Sequence, residues 1–90
     1  MGRAHRPRPA RLGEKLRQIR QGLDLTQEQM IRLLDAKDES LYPASISEYE
    51  QGKREPSLLV LLKYARLFRV PVEALIDDEM DLPKRKAHHR

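Results

Sequence analysis

Residues 45–57 constrain the fold more than any other stretch. They read Ser45-Ile46-Ser47-Glu48-Tyr49-Glu50-Gln51-Gly52-Lys53-Arg54-Glu55-Pro56-Ser57. A short amphipathic helix meets a glycine stop, two adjacent cations follow, and a Pro-Ser pair opens another helix. Upstream, Leu25-Thr26-Gln27-Glu28-Gln29 supplies a second capped start. Ninety residues make one small domain. A chain of this size buries only about 60% of its unfolded surface. The helices must therefore share one compact core.

The remaining elements follow from spacing. Leu12, Leu16 and Ile19 lie at i, i+4 and i+7 and predict a first helix over about 10–21. Gly22 is the expected stop. Thr26 with Gln29 forms a capping box for the second helix, whose apolar face is Met30, Leu33 and Leu34. The polar run from Asp35 to Ser40 reads as a loop. Pro43 suits the first position of a third helix, where its missing N–H costs nothing. Ser45 with Glu48 offers a rival start at Ile46, but that leaves barely a turn and a half before Gly52. The earlier start is preferred, and Ile46 and Tyr49 point inward either way. Ser57 caps a fourth helix over about 58–68, with Leu58, Leu61, Leu62, Ala65 and Phe68 inward. A short fifth helix spans about 72–77, with Val72, Leu75 and Ile76 on the core. No repeat and no two-residue alternation appears. The expected domains are a basic N-terminal arm over 1–9, a helical body over 10–77, and an acidic-then-basic tail over 78–90.

The net charge of +4 hides a division. Residues 1–11 carry four arginines and no acid, and residues 84–90 carry Lys84, Arg85, Lys86 and Arg90. Residues 12–83 hold ten cations against fourteen acids, a net of −4. Any phosphate-binding field must come from the ends and from local cations on one face. There is no cysteine, which removes disulfides and thiolate ligands. His5, His88 and His89 lie in the ends, without a third ligand at useful spacing. No cofactor is expected, and no nucleophile–base pair or phosphate loop supports an enzyme. No apolar run approaches the roughly 20 residues that cross a bilayer, and no signal-peptide core is present. A cytoplasmic protein is expected.

Two short helices in series, followed by exposed cations, suit a module that presents one helix to a nucleic-acid groove. The arrangement resembles the Cro/repressor helix-turn-helix family, the XRE-type regulators, over about residues 11–77. The resemblance is carried by Leu16 with Arg20, by Leu25-Thr26-Gln27-Glu28, and by Ile46-Ser47. Glu50-Gln51-Gly52-Lys53-Arg54 with Pro56-Ser57, and Val70-Pro71-Val72-Glu73-Ala74-Leu75, add to it. It implies an all-α, five-helix, lambda-repressor-like domain, with the second and third helices as the helix-turn-helix. It also implies that Thr26 and Gln27 head a helix that touches double-stranded DNA. Tyr42, Pro43, Ala44, Ser45, Ser47 and Glu48 would form the reading edge of a recognition helix over about 43–51. Lys53 and Arg54 would face phosphates, and Arg20 and Glu50 would bridge the first and third helices. The sequence departs from the family at several points. Asp35 stands for the usual glycine, Ala36–Ser40 look inserted, Ile31 replaces alanine, and Arg69 replaces glycine.

The reading edge holds no strong two-bond donor such as Arg or Gln. Binding is therefore expected to lean on phosphates, thymine methyls, DNA shape and an arginine of the N-terminal arm in the minor groove. Leu59 and Val60 are expected at the flank of the fourth helix, as a wider core edge or as a homodimer or partner surface. A homodimer would match a two-fold operator. The rival reading is a protein-interaction module or antitoxin-like partner, meeting a toxin or another regulator.

Overall fold

The computed structural model describes residues 8–36 and 40–83. Five helices follow in order: α1 (Leu12–Gly22), α2 (Gln27–Leu34), α3 (Pro43–Glu50), α4 (Leu58–Phe68) and α5 (Glu73–Ile76). The all-α expectation holds among the described residues. The arm before Arg8, the tail after Pro83, the three histidines, and Lys37–Glu39 of the long turn lie outside them.

Local caps set most boundaries. Thr26 Oγ1 accepts from the Gln29 N–H at 3.0 Å, and the Thr26 N–H donates to Gln29 Oε1 at 2.9 Å. This reciprocal box starts α2. Pro43 is the first residue of α3, so the earlier start is the correct one. Ser57 Oγ accepts from the Val60 N–H at 3.2 Å and starts α4. Gly52 ends α3 at φ +77°, and the Lys53 N–H returns to the Glu48 carbonyl at 2.9 Å. Two non-glycine residues take the same left-handed role: Asp35 ends α2 at φ 47° and Arg69 ends α4 at φ 60°. Gly22, expected as a stop, is instead the last residue of α1. The chain reverses at Asp24, φ 60°, two residues later.

The core joins Leu12, Leu16 and Ile19 of α1, Met30 and Leu34 of α2, and Ile46 and Tyr49 of α3. Val60, Leu61, Tyr64, Ala65 and Phe68 of α4 and Ala74 and Leu75 of α5 complete the helical part. Glycine allows one close crossing. A Cβ on Gly13 would lie 2.7 Å from the Glu50 carbonyl oxygen and 2.8 Å from that of Tyr49. The start of α1 therefore lies directly on the last turn of α3.

The rotation of α4 corrects the sequence reading. Val60 is fully buried, so it is no part of a dimer surface, and Leu58, expected inside, is 82% exposed. Ile76 also points outward rather than onto the core. The body runs past residue 77. Leu82 is buried in the core, and the segment before it is strapped to α1. Asp78 accepts from the Ala10 and Arg11 backbone N–H groups at 2.8 and 3.0 Å, and Arg11 Nη1 donates to the Asp78 carbonyl at 2.7 Å. Lys15 is fully buried, and its Nζ donates to the Ala74 and Asp77 carbonyls at 2.8 and 2.7 Å. Burial lowers its pKa from the ordinary lysine value. Its two hydrogen bonds partly offset the cost of burying the ammonium and tie α1 to the end of α5.

Candidate nucleic-acid interface

Beyond the Gly13 crossing and the core contacts of Ile46 and Tyr49, an ion pair orients α3. Arg20 Nε donates to Glu50 Oε2 at 2.6 Å, and Nη2 donates to Oε1 at 3.0 Å. The third guanidinium nitrogen, Nη1, donates to the Leu25 carbonyl at 2.9 Å. The side chains are 15% and 6% exposed. The hydrogen bonds to Glu50 raise the Arg20 pKa, so the guanidinium stays charged. A planar fork fixed at both ends sets the angle of α3 against α1 and the α1–α2 turn.

With Ile46, Tyr49 and Glu50 turned inward, the outward face of α3 is Ala44, Ser47, Glu48 and Gln51, at i, i+3, i+4 and i+7. Pro43 and Tyr42 are exposed at its start. Ser45 is not on this face. It is 4% exposed, and its Oγ accepts from the Tyr42 N–H at 3.2 Å. It closes the start of α3 and cannot reach a base, which corrects its assignment to the reading edge. Gln27, the first residue of α2, lines a shallow depression with Arg17, Arg20, Ser47, Glu50 and Gln51. The starts of α2 and the outward face of α3 thus share one surface. Thr26 lies beside it with its hydroxyl engaged in the cap.

A helix-turn-helix family model matches residues 16–75. The chain belongs to the XRE-type helix-turn-helix family. No curated protein and no solved structure matches it. It is a DNA-binding regulator of the helix-turn-helix kind, and its five helices form a lambda-repressor-like domain. This family is regulatory rather than typically enzymatic. No helix among the described residues is long and apolar enough to cross a membrane.

In this helix-turn-helix domain the cations after α3 are exposed, Lys53 and Arg54 alike. Arg54 turns back, with Nη1 3.5 Å from Glu48 Oε1. Gln51 Nε2 donates to Ser47 Oγ at 2.7 Å. Two members of this surface escaped the sequence reading: Arg17, exposed on α1, and Gln51, exposed at the end of α3. Gln51 had a local signal, since it follows Ser47 by four residues. Arg17 had none, because only the crossing of α1 over the helix pair brings it beside Gln27. The long turn departs from the tight family pattern. Asp35 keeps the left-handed backbone usually given to glycine, and Lys63 Nζ of α4 donates to its carbonyl at 3.1 Å. Ile31 fits half-buried against the core.

Proposed function

We propose that the protein is a Cro/repressor-type transcriptional regulator that binds a palindromic site as a homodimer, with α3 in the major groove. One observation carries this reading. The Arg20–Glu50 fork holds the outward face of α3 beside Gln27, while Lys53 and Arg54 follow immediately after its end. Base-edge contacts come from the outward residues of α3, including Ala44 against a thymine methyl. Arg17, Gln27, Lys53 and the start of α2 supply phosphate contacts. Leu58 and Leu59, 82% and 62% exposed at the start of α4, support pairing with a second copy.

The same exposed leucines favour a second reading, in which the domain docks on a protein partner such as a toxin or another regulator. Site selection from a random duplex library separates the two. A DNA regulator enriches one symmetric sequence, and Lys53→Glu weakens binding to every duplex. Absence of any enriched sequence refutes the operator reading. Light scattering of Leu59→Lys beside the parent tests the dimer. A variant mass equal to the parent's would remove the leucines from the interface.

A further inference from the structure

We propose that Glu48 reads a cytosine in the major groove, with Arg54 as its counter-charge. The proposal rests on the DNA-binding reading above and names the base that reading leaves open. An acid in the middle of a DNA-facing surface is normally excluded, because phosphates repel it. Here the repulsion is compensated within the protein. Arg54 comes from beyond the Gly52 turn and places Nη1 3.5 Å from Glu48 Oε1. The side chains are 55% and 46% exposed, so the pair sits at the surface rather than in the core.

Among the outward residues of α3, Glu48 is the one that presents acceptors alone. Ala44 offers no hydrogen bond. Gln51 spends an amide N–H on Ser47 Oγ at 2.7 Å. Glu48 is an acceptor with room for donors besides Arg54. In the major groove only cytosine N4 and adenine N6 donate, while guanine and thymine present acceptors. Adenine places its N7 lone pair beside N6, facing the carboxylate. Cytosine places a C–H beside N4. A carboxylate therefore selects cytosine over all three other bases. This arrangement also changes the role of Arg54. It holds the acid near phosphates instead of clamping a phosphate with its full charge, and Lys53 is left to make that contact.

Site selection and salt titration on the full chain test the proposal. The parent should select a cytosine at one position of each half-site. Glu48→Gln should change that preference toward adenine, which an amide pairs with through two hydrogen bonds. Glu48→Ala should lose about tenfold discrimination at that position. It should bind unrelated duplexes more tightly, because Arg54 is released, with a salt slope steeper by about 0.9 for one added phosphate contact. A merely solvated Glu48 would not move specificity and affinity in opposite directions. A parent with a selected site that Glu48→Ala leaves unchanged overturns the proposal alone. A parent that selects no site overturns it together with the DNA-binding reading.

Discussion

Replacing Arg20 by alanine takes away the partner of Glu50, whose side chain is only 6% exposed with Arg20 in place. Two charge-assisted bonds, at 2.6 and 3.0 Å, disappear with the guanidinium. The third bond, to the Leu25 carbonyl, goes as well. Breaking one side of a buried pair costs about 3–5 kcal/mol, because the remaining charge stays desolvated. A domain of this size has a total stability of roughly 5–13 kcal/mol at the usual 0.05–0.15 kcal/mol per residue. The loss is therefore a large share of the whole, and melting should fall by about 12–40 °C at 4–8 °C per kcal/mol. Glu50→Ala should cost less, because Arg20 is more exposed and keeps the Leu25 carbonyl. Urea unfolding of the two single variants and the double variant gives the coupling energy from a thermodynamic cycle. Replacing both residues by leucine should recover most of the stability, since an apolar pair of similar size avoids the desolvation cost. The recovered protein should still bind DNA poorly, because the directional fork that helps set the angle of α3 is gone. Single losses under about 1 kcal/mol, the range of an exposed ion pair, would refute the reasoning. So would full DNA affinity in the leucine pair.

Three further substitutions probe other parts of the fold. Gly13→Ala places a Cβ 2.7 Å from the Glu50 carbonyl oxygen, backbone that cannot swing aside. It should cost about 1–3 kcal/mol in urea unfolding and lower DNA affinity by displacing α3. Arg69→Gly removes a side chain from a left-handed position and should gain about 1 kcal/mol, read as a higher melting temperature. Asp78 has a pKa lowered by the backbone N–H groups of Arg11 and Ala10. Its folded-state pKa lies below its unfolded one, so its contribution is present above the ordinary carboxylate value. That contribution is lost as pH falls through the lowered one. Asp78→Asn should melt below the parent at pH 7 and converge with it in strong acid. A constant gap across that range would show that charge is not involved.

Much of the local structure was legible because its causes are local. The Thr26–Gln29 box, Pro43 at the head of α3, the Ser57 cap and the Gly52 turn each lie within four residues of what they control. The Arg20–Glu50 fork was legible only through the family resemblance, since thirty residues separate its members. The face of α4 was misread because it is apolar almost all round, Leu-Leu-Val-Leu-Leu at its start. Spacing alone cannot orient such a helix, and packing against α1 and α2 turned Val60 in and Leu58 out. Ser45 looked like a polar reader but lies on the inner side of the first turn of α3.

Chemistry within a few residues thus determined which segments coil, where they stop, and which cations follow α3. Tertiary contact decided what local chemistry cannot encode. It brought Gly13 onto the Glu50 carbonyl, Leu82 into the core, Asp78 to the head of α1, and Arg17 to the side of Gln27. Hydrogen bonding along the backbone acts over one turn of helix. The choice of which faces exclude water together is made by the whole chain at once.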